Sequence, residues 1–319
     1  MNSTEQTVSS LFLLNPNVER IIIGVTYIGL ALPIIPVYAV LTYAMTTDKD
    51  LVANNLYRMS NQFSVVNFGQ TLFHIIVGFF IIFPHMEMKY EVIARTAACT
   101  LNSLWLAMFP IMSVLSISRI LVVKEIISPN RFPLALKAFI VIGWLYTTSV
   151  WLFGCFTQNM TLSGVGIAYD LTKLGAPTLS QQEWYLCVPS LVVTCGAYFV
   201  IVLHMRATKR ESRGLSWSRE AKILFQATFL TIYMLALVVV WHYSDQWLGT
   251  DVSIAVLQAI WILFLYCYPI LLITLNPTLR KKVFQSITCP LCPHRRPTII
   301  SNTVKKSSFV QCRSQSYKR

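Results

Sequence analysis

The chain has 319 residues, 55% of them hydrophobic and only 12% charged, with a mean hydropathy of +0.57. Soluble domains run at about 45–50% apolar and about 25% charged residues, so a globule cannot hide this much apolar surface and a water-soluble fold is excluded. The net charge of +13 is uneven along the chain, and it reads as a lipid-facing and partner-facing asymmetry rather than as nucleic-acid binding.

Residues 1–20 carry Glu5 and Glu19 against one cation, Arg20. They lack the basic start of a signal peptide, and the apolar run that follows is too long for a cleaved leader. They are read as an extracellular N-terminus, with removal of that run, leaving six spans, as the alternative. Apolar runs long enough to cross a hydrocarbon core then recur at 21–45, 57–83, 90–123, 134–156, 184–205, 221–243 and 252–275. In lipid an open strand leaves backbone groups unpaired, so each run must be helical. The expected fold is an all-α membrane protein, a bundle of seven transmembrane helices over residues 21–275.

Within these runs, Pro33 and Pro36 predict a kink in span one and Pro110 one in span three, since proline removes a backbone donor and clashes with the preceding turn. Span six has no proline between Ala221 and Gln246. The loop from 157 to 183 carries Gly164, Gly166, Gly175 and Pro177 and reads as a flexible lid. After span seven, Asn276 suits an N-cap and Pro277 a first helical position, which predicts a short amphipathic helix over 276–288. Its Arg280, Lys281 and Lys282 would meet anionic head groups, while Leu279, Val283, Phe284 and Ile287 would enter the membrane. Residues 289–319 are polar and aperiodic and read as a disordered tail.

Orientation follows from the cations. With the N-terminus outside, only Arg20, Lys89, Arg95 and Lys173 of the 26 lysines and arginines fall on the exterior, as the positive-inside rule requires. The acceptor patterns at Asn2 and Asn159 fall on the exterior too and are candidate glycosylation sites. The expected location is the plasma membrane, multi-pass, with the C-terminus cytoplasmic. Of eight cysteines, Cys99, Cys155 and Cys187 lie in outer parts of spans, where either an oxidised pair or buried free thiols fits. Cys289 and Cys292 follow a membrane-skimming helix, the setting of palmitoylation. Plain thiols, or a zinc site completed by His294 and Cys312, are the alternatives.

The absent chemistry narrows the function. Spans one and seven contain no Asp, Glu, Lys or Arg between 21 and 45 or between 252 and 275. Ion-coupled transport relies on intramembrane ionisable groups, and a retinal protein needs a lysine. His74, His204 and His242 have no fitting partner at short spacing for a protease or metal motif. No catalytic residue, cofactor or metal is expected, and a seven-helix bundle without a reaction centre points to a receptor. A transporter or channel is the alternative.

The stretches "GVTYIGLALPIIPVYAVLTYAM", "NNLYRMSNQFSVVNFGQ", "EAKILFQATF" and "WILFLYCYPILLITLNPTLRKKV" resemble the nematode serpentine chemoreceptors, most of all class T (Srt), with class X (Srx) next. The resemblance covers nearly all of 21–287 and implies a rhodopsin-like G-protein-coupled receptor, with a heterotrimeric G protein and an unidentified small-molecule ligand as partners. It implies a switch at Arg119, the one retained member of an acid-arginine-aromatic triplet that here reads Ser118, Arg119, Ile120. Glu220, at the cytoplasmic start of span six, stands where such receptors place an acid that clasps the arginine at rest. Asn67 replaces the span-two aspartate of that family. Pro269 supplies the span-seven kink, with Tyr268 and Leu272 in place of the usual asparagine and tyrosine.

Ligands of such a bundle enter from the outer half, where Arg95, Cys99, Asn102 and Trp105 share span three, Tyr233, Trp241 and His242 share span six, and Gln258 and Trp261 share span seven. Interfacial aromatic belts put Trp and Tyr in the same places. Arg95, turned inward, would pair an anionic ligand; Glu91, at i and i+4, would equally hold it.

Overall fold

A computed structural model describes residues 11–128, 133–208 and 216–288, except for the side chains of 205, 208, 216–221, 223, 245 and 246. Seven helices are long and apolar enough to cross a membrane: Val18–Thr47, Asn55–Ile82, Glu91–Val123, Leu134–Thr157, Ala176–Thr208, Ser216–His242 and Asp251–Leu275. The chain is therefore a multi-pass membrane protein with an all-α bundle, as its sequence predicts. Spans two and three, with 56% of their apolar windows buried, and span seven, with 50%, form the centre. Span four at 22% and span one at 28% turn most of their side chains outward, where lipid takes the place that water has in a soluble fold.

The prolines of span one act as expected, whereas spans three and seven run as single helices through Pro110 and Pro269. Span one breaks into Val18–Ala31 and Ile35–Thr47 around a 3-10 turn at Leu32–Ile34. In span seven, Pro269 cannot donate to the carbonyl four residues back, that of Leu265. The Tyr38 hydroxyl of span one donates to that carbonyl at 2.6 Å. A buried carbonyl without a partner costs about 1–3 kcal/mol, so Tyr38→Phe is expected to destabilise the protein by roughly that amount, read as a lowered unfolding temperature in detergent. A wild-type unfolding temperature for Tyr38→Phe would show the hydroxyl to be dispensable. Pro110 lies inside span three, and Gly143 of span four lets the helices close there: an added Cβ would sit 2.9 Å from the Pro110 ring.

Span five corrects the expected boundary. It begins at Ala176 rather than 184, so its first two turns come from what the sequence suggests is loop. The remaining loop is also ordered. Met160–Ser163 (β1) and Gly166–Tyr169 (β2) form an antiparallel hairpin pairing Met160 with Tyr169 and Ser163 with Gly166. Gly164, the first of its two turn residues, has φ +63°, which glycine adopts without the Cβ clash other residues suffer. The hairpin is packed rather than free: Val165 and Ile167 are buried, and the Tyr27 hydroxyl donates to the Val165 carbonyl at 2.9 Å.

At the opposite end of the bundle, Pro277–Thr288 forms the expected short helix. Asn276 caps it by accepting from the Leu279 N–H at 3.1 Å and donates to the Tyr57 hydroxyl at 2.8 Å. Two expectations for this helix are corrected. Leu279 and Val283 are buried against the bundle, leaving Phe284 and Ile287 exposed to the membrane. Lys282 does not face head groups but donates to Asp48 at 2.7 Å and Asp50 at 3.1 Å. Asp48 also caps the short helix Lys49–Ala53.

Burial pushes the Asp48 carboxyl up, but the Lys282 ammonium and the N–H groups of Leu51 and Asp50 outweigh it and hold the carboxyl below its ordinary 3.8. The Asp48 hydrogen bond raises Lys282 above 10.5. A depressed carboxyl stabilises above its unfolded value and stops as pH falls through its folded one; a raised ammonium stabilises below 10.5 and stops as pH rises through its folded value. Asp48→Asn, which keeps a capping oxygen, is expected to cost about 0.5–1 kcal/mol at pH 7, and Asp48→Ala about 1 kcal/mol more. The gap between wild type and Asp48→Asn should close at both ends of that pH window; a gap constant with pH would contradict the ion pair.

Candidate functional site

Span three carries the candidate residues through the middle of the bundle. Asn102 and Trp105 are separated by three residues, and so lie on one helical face, and both are buried. They meet Leu237 and Trp241 of span six and Leu257 and Trp261 of span seven around a cavity of about 10 Å³, room for a single water. The Trp105 and Trp261 rings lie 5.0 Å apart at 63°, and Trp241 meets Trp261 at 5.5 Å and 77°. These edge-to-face contacts put the positive ring edges against the negative faces. Asn102, Trp105, Trp241 and Trp261, expected from the sequence to share a pocket, do so.

Below the cavity, Trp261 anchors a buried polar cluster. Its indole N–H donates to Gln70 Oε1 at 3.0 Å, and Gln70 Nε2 donates to Met108 Sδ at 2.8 Å. His74 lies edge-on to Trp261 at 5.1 Å, and its Nδ1 is 3.2 Å from Gln258 Nε2. Gln258 therefore faces span two instead of the cavity. Among the described residues His74 Nε2, Gln258 Oε1 and both amide atoms of Asn67 have no hydrogen-bond partner. Ser60, Ser64, Asn67, Gln70, Thr71 and His74, each at most 4% exposed, make a polar seam along span two.

Above the cavity, Asn102 Nδ2 donates to the Tyr169 hydroxyl at 2.8 Å, and that hydroxyl donates to Glu183 Oε2 at 2.8 Å. Tyr169 comes from β2 and Glu183 from the extra first turns of span five. Glu183 is 5% exposed, and among the described residues no lysine, arginine or histidine pairs with it.

The remaining outer candidates have other roles. Arg95 donates to Glu91 at 2.8 Å, to Asp170 at 3.0 Å and to the Gln158 carbonyl at 2.8 Å. The expected anion site is thus a clasp between span three and the strand-flanking residues of the hairpin, with the anticipated Glu91 pair in place. Asp170 lies below the usual carboxylate range because Thr172, then Arg95, donate to it. Tyr233 donates to the Ile260 carbonyl at 2.8 Å and packs on Phe264, away from the cavity. His242 stacks on Trp184 at 4.4 Å. Asn159 is fully buried against Cys99 and Gly154, which leaves no room for a glycan; this corrects that acceptor expectation. Cys99, Cys155 and Cys187 are free thiols. Asn2, Cys289, Cys292, His294 and Cys312 lie outside the described residues.

A second cavity, of about 20 Å³, lies toward the short-helix end between spans two, three, five, six and seven. Arg119 turns into it: its Nη1 donates to the Tyr198 hydroxyl of span five at 3.1 Å, with the guanidinium carbon 6.0 Å from that ring's centroid. The Ser118 hydroxyl is spent on the Leu115 carbonyl. Tyr268 donates to the Ser60 carbonyl at 2.8 Å and lies on Phe63 with ring centroids 4.6 Å apart. Gln226 is buried beside them. The Glu220 side chain lies outside the described residues, so its expected pairing with Arg119 does as well.

Sequence reasoning missed Tyr198, because nothing in the sequence joins it to Arg119 across 79 positions. It missed Glu183 by placing the span's start too late. Gly175 followed by Pro177 is also a helix-start signal, with proline in the first turn, and reading it so would have placed the acid inside the bundle. No protein-family model matches the chain, and no curated protein matches it.

Proposed function

We propose that the chain is a plasma-membrane, seven-helix chemosensory receptor of the rhodopsin-like kind, akin to the nematode serpentine group, that passes an extracellular chemical signal to a heterotrimeric G protein. The hairpin end faces outward and receives the ligand in the tryptophan-lined cavity; the short-helix end is cytoplasmic. The observation that carries the reading is Arg119. An arginine facing hydrocarbon at midplane costs about 2.5–3.5 kcal/mol, and a long side chain near a helix end can avoid this by snorkelling to water. Arg119 instead turns inward to Tyr198, where five spans meet around a small cavity. Among the described residues the Tyr198 hydroxyl holds this charge, and a shift of spans five and six that broke the contact would open a cationic surface to a G protein.

The buried seam along span two supports a second reading, a transporter or channel, because polar side chains follow one another along that helix. Against it, the cavities beside Trp261 and beside Arg119 hold only about 10 and 20 Å³ among the described residues, each on the scale of a single water. The test is ligand-independent G-protein signalling in a heterologous cell. Arg119→Ala is expected to lower it and Glu220→Ala to raise it, each by about fivefold or more. Unchanged signalling in both, together with solute uptake, overturns the receptor reading.

A further inference from the structure

We infer that the tryptophan-lined cavity is a site for an organic cation, an ammonium ligand held by Glu183 and the faces of Trp105, Trp241 and Trp261. This rests on the reading of that cavity as a ligand site and adds the chemistry of its ligand. Three observations carry it. First, Glu183 is a carboxyl buried inside the bundle and has no cation beside it among the described residues. An unpaired buried charge is expensive, and in a membrane protein such a group marks a functional site whose counter-charge comes from elsewhere.

Second, the hydrogen bonds around it have a fixed direction. Asn102 donates to the Tyr169 hydroxyl, which leaves that hydroxyl's own proton for Glu183. The carboxyl is thus held as an acceptor, directly behind the wall that Asn102 and Trp105 give the cavity. Asn102 and Trp105 belong to both its surroundings and the cavity wall, since the Trp105 indole N–H lies against the same carboxyl. Third, the walls are three indole rings, the side chains whose faces attract cations most strongly. Arg95, the cation nearest in sequence to this face, is already held by Glu91 and Asp170, and among the described residues no positive group lines the cavity to hold an anion. Trp241, only half-buried on span six, is the wall that moves aside to admit a ligand larger than water. Its displacement couples occupancy to span six.

The test uses the full chain in phosphatidylcholine nanodiscs, with phenethylammonium, tetramethylammonium and 3-phenylpropionate as probes and tryptophan fluorescence plus unfolding temperature as readouts. Either ammonium should quench saturably and raise the unfolding temperature, while phenylpropionate does neither. Glu183→Gln keeps an acceptor for Tyr169 and should weaken ammonium binding by about tenfold or more. Trp241→Phe, a milder change at a half-buried position, should weaken it about threefold. The inference is overturned by equal or tighter binding of phenylpropionate, by ammonium affinity unchanged in Glu183→Gln, or by no saturable ammonium binding to the wild type. Ammonium binding without nucleotide exchange on any G protein would keep this site and overturn the receptor reading; exchange driven by an anionic probe would do the reverse.

Discussion

Gly78→Leu is expected to unfold the protein or lower its unfolding temperature more than any other single change on spans one and two. The two helices cross with Gly24 against Gly78: an added Cβ at position 78 would lie 2.8 Å from the Gly24 carbonyl oxygen, and one at position 24 would lie 2.7 Å from the Gly78 oxygen. Both obstacles are backbone, which cannot swing away, so the helices must separate. Helices in lipid gain little from the hydrophobic effect against one another and depend on such close approach through small residues. Overpacking costs about 1–3 kcal/mol where side chains can yield and more where they cannot, so a loss of about 3 kcal/mol or more is expected. Gly29 is the control, because on the helix of span one that carries Gly24 an added Cβ at position 29 meets nothing within 4 Å. Gly29→Ala should be neutral or slightly stabilising. Size-exclusion profiles and thermal unfolding in detergent measure both; equal behaviour of the two variants would refute the crossing.

Trp261→Ala should be nearly as severe, for a different reason. Trp261 is 4% exposed and touches Trp105, Trp241 and His74 while its N–H serves Gln70. Removing an indole of this burial costs about 3–5 kcal/mol through lost contacts and the void left behind. Trp261→Phe separates the contributions: it keeps most ring contacts and strands Gln70 Oε1, for about 1–3 kcal/mol. If that hydrogen bond is the difference, Trp261→Phe combined with Gln70→Leu should recover part of the loss, because the stranded acceptor is gone. A double variant that is simply additive would place the cost in shape rather than in the hydrogen bond.

The spans were legible because burial in lipid is read from composition and length, and both are carried in each run by itself. The same holds for Pro33, Pro36 and the cap at Asn276, whose effects are local. What could not be read depends on pairs far apart in the chain. Arg95 is chemically fit for an anion and is claimed by Asp170 through a hairpin fold; Lys282 suits a head group and is claimed by Asp48. Leu279 and Val283 share a helix with Phe284 and Ile287, and only the position of the bundle decides which pair is buried. Of the outer candidates, Asn102, Trp105, Trp241 and Trp261 were found because they lie in the outer halves of spans three, six and seven, whereas Tyr169 and Glu183 reach the site through a strand pairing and a helix start whose patterns were too weak to see.

Spans three, six and seven each contribute side chains to both cavities. Trp261 contacts Gln70, Gln70 donates to Met108, and span three then runs on to Arg119. An outward movement of Trp241 would act on span six, which walls the Arg119 cavity through Gln226 and Leu230. In this account a ligand at one end changes how tightly Arg119 is held at the other. Nucleotide exchange measures that most directly: purified protein in lipid vesicles, mixed with representatives of each heterotrimeric G-protein class, with binding of a non-hydrolysable GTP analogue as the readout. Wild-type protein is predicted to speed exchange over empty vesicles for at least one class, and Arg119→Ala to lose about tenfold of that gain or more. Exchange no faster than in empty vesicles for every class, with solute or ion flux across the same vesicles, would contradict it.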